Sequence, residues 1–172
     1  MTNQNFTIIQ PWNKKTQLLV ANWYLAEWNI PFDKTMHRFE QIALKNDQFQ
    51  VVMYLDDKPI ATGGVYDHIN LLDMKPSLSN CRKWLSQMFT LPDYRGNGYG
   101  SAMCRYIQQH AATKDIEKLH LATPSASAFY QRLGWNTSKT LQLGAKHITI
   151  MERSLHQEQK IINEYRYEQN HY

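Results

Sequence analysis

The spacing of apolar residues changes period several times along the chain, and each change predicts an element. Phe6-Thr7-Ile8-Ile9-Gln10 alternates as a first strand, which Pro11 closes. From Lys14 to Trp28 the apolar residues Leu18, Ala21, Leu25 and Trp28 recur at helical spacing, with Leu19 and Trp23 beside them, and predict a broad buried stripe. Asn29-Ile30-Pro31 breaks this helix, and Asp33 can cap a second one whose Met36, Phe39 and Ala43 face inward. Gln48–Leu55 and Lys58–Tyr66 predict a hairpin turning at Asp56-Asp57, because aspartate tolerates the turn conformations required. Gly63-Gly64 in its second strand signals a bulge or the close approach of another backbone. Asp67 to Asn80 is expected to be irregular.

Trp84 to Leu91 then reads as a strand apolar on both faces, with Trp84, Met88 and Thr90 on one and Leu85, Phe89 and Leu91 on the other. Such a strand belongs inside a sheet covered on both sides. After Pro92-Asp93-Tyr94-Arg95-Gly96-Asn97-Gly98, a helical stripe of Tyr99, Met103, Tyr106, Ile107 and Ala111 begins. Gly96, Gly98 and Gly100 therefore sit where a buried strand becomes a helix. Glycine lets a ligand approach the backbone, and the first N–H groups of a helix have no partner inside it. With the positive end of the helix dipole they suit a phosphate, so the stretch reads as a pyrophosphate cradle. A P-loop would need lysine before its hydroxyl residue, and Gly100-Ser101 has none. A dinucleotide fingerprint needs G-x-G-x-x-G, whereas the spacing here is G-x-G-x-G. From the glycines alone, a tight connection with no ligand stays open.

Further on, Lys118 to Ala122 predicts a short strand, and Thr123 caps a helix with Pro124 in its first turn. That helix runs from Ser125 to Leu133, and Gly134 ends it. Two closing strands are expected near Thr137–Leu143 and His147–Arg153. The tail from Ser154 to Tyr172 is polar, with Ile161, Ile162 and Tyr165 marking a weak helix that packs, mediates association or stays mobile.

Composition narrows the class. A chain of 172 residues with 42% hydrophobic content suits one compact domain burying roughly two thirds of its chain surface. No apolar run reaches the ~18 residues of a membrane span, and Met1-Thr-Asn-Gln-Asn lacks the regions of a signal peptide. Two cysteines, Cys81 and Cys104, make no disulfide framework, so a cytoplasmic location is expected. The net charge of +4 comes from scattered residues, which fits a polyanionic cofactor and lacks the dense cluster a nucleic-acid face requires. No His-x-x-x-His, Cys-x-x-Cys or acid cluster points to a metal.

The cradle pairs with a second motif, Phe129-Tyr130-Gln131-Arg132-Leu133-Gly134-Trp135. Together they resemble the GNAT superfamily of acyl-CoA-dependent N-acetyltransferases. Arg95, Gly98 and Gly100 fill its [Gln/Arg]-x-x-Gly-x-[Gly/Ala] pattern, and Phe129, Tyr130, Leu133, Gly134 and Trp135 fill its Phe-Tyr-x-x-Leu-Gly-aromatic pattern. The resemblance implies a single α/β domain over residues 1–153, with a mixed, mostly antiparallel sheet flanked by helices and strands splayed at the acyl-CoA site. It implies acetyl-CoA as acyl donor, no metal, and transfer to a primary amine of a small molecule or a peptide N-terminus. Phe89 and Thr90 would hold the pantetheine arm by their backbones. Arg95, Gly96, Asn97, Gly98, Tyr99, Gly100 and Ser101 would hold the pyrophosphate, Arg95 through its backbone and by shaping the loop.

Tyr130 matches the family's general acid for the departing thiolate; as a bare aromatic in an apolar run it would only pack. The family often has Asn where Thr123 stands, and Trp135 replaces the commoner Phe. The first two helices lie over the acceptor site in the family, so Trp23, Trp28 and Phe32 either line a pocket or belong to the core. Glu27 either meets the acceptor or lies on a solvated face. For the general base, Gln87 stands where several relatives carry a carboxylate, and Asp67, His68 or a water chain are the alternatives; His120 is expected to be a strand histidine. The competing reading is a non-catalytic CoA-binding module of the same fold.

Overall fold

Asp56 and Asp57 both take positive φ, 47° and 64°, the combination that a two-residue hairpin turn requires. They join β2 (Phe49–Leu55) to β3 (Lys58–Tyr66) in the computed structural model, which describes residues 2–170. Met1 and the last two residues of the expected tail, His171 and Tyr172, lie outside the described residues. The chain divides into two compact units interleaved in sequence, one of Met1–Gly64 with Gln87–Met103 and one of Val65–Ser86 with Cys104–Tyr172.

In the first unit, β1 (Gln4–Ile8) pairs antiparallel with β2, Gln4 opposite Leu55 and Ile8 opposite Val51. Helix α1 covers Lys14–Trp28, as its periodicity predicts, and Asn29 stops it by entering the left-handed region at φ 52°. Its buried face differs from the expected stripe. Thr16, Gln17, Val20, Ala21 and Tyr24 are buried, whereas Leu18, Leu25 and Trp28 are 43%, 41% and 42% exposed. The polar members of the buried face have partners, which is why they can go inside. Gln17 Nε2 donates to the Gln10 and Pro11 carbonyls at 3.0 and 3.2 Å, and Tyr24 is bonded through its hydroxyl. Helix α2 (Phe32–Ile42) starts after Pro31, so Asp33 lies in its first turn and does not cap it. Thr35, Phe39 and Ile42 are its buried residues, and Ala43 is exposed.

In the second unit, Asp67–Asn80 is more ordered than its polarity predicts. It holds α3 (Asn70–Met74) and a 3-10 turn at Pro76–Leu78, because Leu71 and Leu78 bury against Trp84 and Ile150. β5 (Lys118–Thr123) pairs antiparallel with β7 (Lys146–Ser154), and β6 (Asn136–Leu143) pairs with β7 on its other side. The seven strands form one sheet in the order β1-β2-β3-β4-β5-β7-β6, where β4 is Trp84–Thr90. β4 and β5 run parallel, with Trp84 opposite His120. The sheet is mixed, mostly antiparallel and flanked by helices, in agreement with the expected fold class.

The tail forms α6 (His156–Gln169), which has no buried residue of its own. Its base is anchored by Leu155, fully buried, and by Glu158, which accepts from Arg153 Nη2 at 2.6 Å. Arg153 Nη1 also donates to the Leu133 and Gly134 carbonyls at 3.1 and 3.2 Å. Gly134 sits at φ 85°, and a Cβ there would overlap the Arg153 guanidinium. Gly134→Ala is therefore expected to destabilise the protein by roughly 2–4 kcal/mol, combining left-handed strain with displaced hydrogen bonds. Urea unfolding reads this as a lower midpoint at unchanged slope; an unaltered midpoint would show that the guanidinium moves aside freely.

Candidate active site

The strand that leads into the glycine turn does not alternate to its end. Gln87, in the middle of β4, takes φ 55° in the left-handed region. The two regular faces read from the sequence stop there. Trp84, Leu85 and Phe89 are buried, while Met88 and Thr90 are half-buried. A left-handed strand residue turns its peptide out of register, and here the Gln87 carbonyl accepts from the Tyr24 hydroxyl of α1 at 2.8 Å. Beyond it Phe89 packs under two tryptophans of α1, with ring centroids 5.4 Å from Trp23 and 6.1 Å, edge-on, from Trp28. Trp28, being 42% exposed, is not the core residue that one of its two readings made it.

Arg95 is exposed but engaged. Its Nε donates to the Thr90 carbonyl at 2.8 Å, its Nη2 meets Glu27 at 2.9 Å, and its guanidinium lies 5.7 Å from the Phe89 ring. Two of the expected site residues, Thr90 and Arg95, are thus brought together, and Glu27 is neither solvated alone nor a free contact. These contacts hold Arg95 against the end of β4 and the end of α1. Asn97 stiffens the turn by donating from Nδ2 to the Tyr94 and Arg95 carbonyls at 3.3 and 3.0 Å.

Gly96 and Gly98 sit at φ 78° and 82°, where glycine has no steric penalty, and a Cβ at either would meet nothing within 4 Å. The space beside both glycines is therefore open. Helix α4 (Tyr99–Ala112) follows, and its first internal bond runs from Ala102 N–H to the Gly98 carbonyl at 3.0 Å. The N–H groups of Tyr99, Gly100 and Ser101 precede that bond and have no acceptor within the helix. No acidic residue lies in this first turn to compete for them. Lys58, at the start of β3, adds a cation at the loop, 5.1 Å from the Tyr94 ring; its hydrogen bond to Tyr94 raises its pKa. Nothing in the sequence links Lys58 or Glu27 to the turn, because those contacts are long-range.

The second motif lies in the other unit. The Thr123 hydroxyl accepts from the N–H groups of Ser125 and Ala126 at 3.3 and 2.9 Å, but it closes a turn after β5 and is not the helix cap expected of it: Ala126 is the N-cap, and Pro124 lies before the helix. The helix that follows, α5, is shorter than predicted and spans Ser127–Arg132. Tyr130 is 9% exposed and meets Phe129 and Trp135 edge-on, at 4.9 and 6.0 Å. Burial pushes its phenol well above the ordinary tyrosine range, with Cys104 adding in the same direction. Burial likewise pushes the Cys104 thiol up to about 12, against weaker opposing pulls led by Trp135. Neither group ionises near neutrality.

The candidates for a base are mostly engaged. Asp67 is ion-paired with Lys83, and His68 Nε2 lies 2.8 Å from Asp73. His120 is a buried strand histidine, its pKa lowered by burial, with Glu152 4.0 Å away. Among the described residues no group of three or more His, Cys, Asp or Glu side chains is placed to hold a metal. No described helix is long and apolar enough to cross a membrane.

Residues 15–135 match the acetyltransferase (GNAT) family. No curated protein sequence matches the chain. Among solved structures, it is similar to an aminoglycoside 6'-N-acetyltransferase complexed with coenzyme A, 12% identical with a TM-score of 0.69 over 88% of this chain and 97% of that one. An acetyltransferase of the GNAT family from Streptococcus pneumoniae is 14% identical with a TM-score of 0.67, over 88% and 99% of the two chains. An N-acetyltransferase from Staphylococcus aureus Mu50 is 13% identical with a TM-score of 0.67, over 89% and 99%. At these identities the structures speak for the fold, and the family match speaks for the chemistry. The chain belongs to the GNAT family and is an acetyltransferase that takes its acyl group from acetyl-CoA.

Proposed function

We propose that this acetyltransferase acts on a primary amine, of a small molecule or a peptide N-terminus, by direct attack and without a covalent enzyme intermediate. The observation that carries the reading is the open left-handed turn at Gly96 and Gly98 leading into the unpaired N–H groups of α4. Backbone groups from Arg95 to Ser101 bind the pyrophosphate, helped by the helix dipole. The backbone of Phe89 and Thr90 holds the pantetheine arm, and an N–H of β4 polarises the thioester carbonyl without reorganising.

The neutral amine attacks the carbonyl carbon. A C–N bond forms, the C–S bond breaks, and the amine's proton leaves through water. Tyr130 serves the sulfur. Its phenol is held protonated by burial, so it offers a donor at every working pH. The free thiols of Cys81 and Cys104 suit the reducing cytoplasm. The test is a panel of amines assayed for release of free CoA thiol, with the acetylated product identified by mass. Acetyl-CoA binding without release of thiol from any amine would refute the reading.

The acceptor lies against the exposed side of α1, where Trp28 stands over Phe89 and Glu27 beside Arg95. Trp28→Ala is expected to raise the KM for the amine roughly tenfold, the equivalent of ~1.4 kcal/mol, and to leave that for acetyl-CoA nearly unchanged. Its stability cost stays below the ~3–5 kcal/mol of a fully buried tryptophan, because much of the ring is already exposed. A lowered melting temperature with both KM values unchanged would make Trp28 a packing residue.

A further inference from the structure

The geometry points to Tyr24 as a positioning residue: its hydroxyl fixes the Gln87–Met88 peptide of β4, and with it the backbone donor offered to the thioester carbonyl. The inference rests on β4 being the strand that holds the acyl arm. A strand residue other than glycine in the left-handed region persists only where its surroundings enforce it. Gln87, at φ 55°, is such a residue. The enforcing contact is the Tyr24 hydroxyl, 2.8 Å from the Gln87 carbonyl.

That hydroxyl is itself directed. Tyr24 is fully buried, and Gln50 Nε2 donates to its oxygen at 2.8 Å and to Thr62 Oγ1 at 2.6 Å. Thr62 passes its proton to the Val51 carbonyl at 2.7 Å. An amide nitrogen only donates, so Tyr24 accepts from Gln50 and gives its own proton to Gln87. No peptide among the described residues is cis. In a trans peptide the N–H points opposite to the C=O, so the Met88 N–H is directed away from Tyr24. A donor locked in this way needs no reorientation when charge grows on the carbonyl oxygen. Gln50, Thr62 and Tyr24 form a buried polar chain whose end is the Gln87–Met88 peptide of β4.

Tyr24→Phe keeps the ring and removes the clamp. The kcat is expected to fall roughly ten- to a hundredfold, with the KM for acetyl-CoA within about threefold of the parent. Adding Gln87→Gly, which enters the left-handed region freely, should restore at least about threefold of the loss. A second readout needs no acceptor. With acetyl-CoA labelled with carbon-13 at the acetyl carbonyl, the bound resonance should lie downfield of the free one in the parent and move back in Tyr24→Phe. If Tyr24→Phe does not fold, Gln87→Val opposes the same backbone geometry from a half-buried position and takes both measurements. Unchanged kcat and unchanged carbonyl resonance in the folded variant overturn the assignment, whatever happens to the melting temperature. A parent that shifts the carbonyl but acetylates no amine overturns the amine-acceptor reading and leaves the clamp standing.

Discussion

Gly98→Asp is expected to abolish measurable acetyl-CoA binding while the protein stays folded. Gly98 sits at φ 82° with open space where a side chain would go, so the substitution meets no neighbour. Aspartate is among the residues that tolerate the left-handed region, so the backbone cost is only ~1 kcal/mol. The added carboxylate stands at the mouth of the α4 N–H groups and can occupy them itself. It also places a negative charge where a pyrophosphate would lie, and like charges at ~4 Å repel by about 1 kcal/mol in bulk water and about 4 kcal/mol near a protein surface. Together these effects exceed a hundredfold in affinity. Gly144→Asp is the matched control, since Gly144 takes φ 59° in the β6–β7 turn with equally open space. Calorimetric titration of both variants, with circular dichroism beside it, checks the claim. Parent-like affinity in Gly98→Asp would remove the turn from the cofactor site.

What could be read from the sequence was whatever is decided within a few residues. The Asp56-Asp57 turn, the end of α1 at Asn29 and the left-handed Gly134 all follow from local backbone preference, and each stands where the sequence places it; the Thr123 cap does not, because α5 starts only after Ala126. The glycine turn belongs with those three, since Gly96 and Gly98 need positive φ for reasons internal to the turn. The inward face of α1 is not legible in the sequence because Tyr24 and Gln17 look like surface residues until their partners are known. One of those partners, Gln87, lies 63 positions away in sequence. Gln87 itself carries no local mark, being neither glycine nor asparagine, and its left-handed φ is imposed from α1. Asp67–Asn80 looks irregular in sequence because its polarity hides Leu71 and Leu78, which order it only once Trp84 and Ile150 are present to bury them. The pairing of Arg95 with Glu27 was equally hidden. It ties the end of α1 to the glycine turn through an exposed ion pair, which contributes at most ~1 kcal/mol to stability and more to the shape of the loop.

Tyr130→Phe is expected to lower kcat by ~10²–10³, as losing a donor to developing charge does, and to leave acetyl-CoA affinity within a few fold. The variant loses one oxygen and keeps the ring, so the edge-on contacts with Phe129 and Trp135 survive. The effect belongs in kcat, because the sulfur gains charge in the transition state and has none in the bound thioester. The environment of Tyr130 refines what the donor does. An ordinary phenol of pKa ~10 is already a weaker acid than a thiol near ~8.5, and burial here raises the phenol further. Complete transfer to a thiolate is therefore uphill, and on the proposed reading the hydroxyl would work mainly by hydrogen bonding to the sulfur as it leaves. Two pH results follow. The parent's rate should show no loss from Tyr130 ionisation below pH ~10, because the folded-state pKa lies above the unfolded one. For stability, a raised pKa contributes fully below pH ~10 and is lost as pH rises through the folded value, so Tyr130→Phe should resist alkaline unfolding better than the parent. Saturating rates from pH 7 to 10 and alkaline melting curves measure both. A kcat within about threefold of the parent, with chemistry shown to limit the rate, would make Tyr130 a packing residue and leave the thiolate to depart on its own.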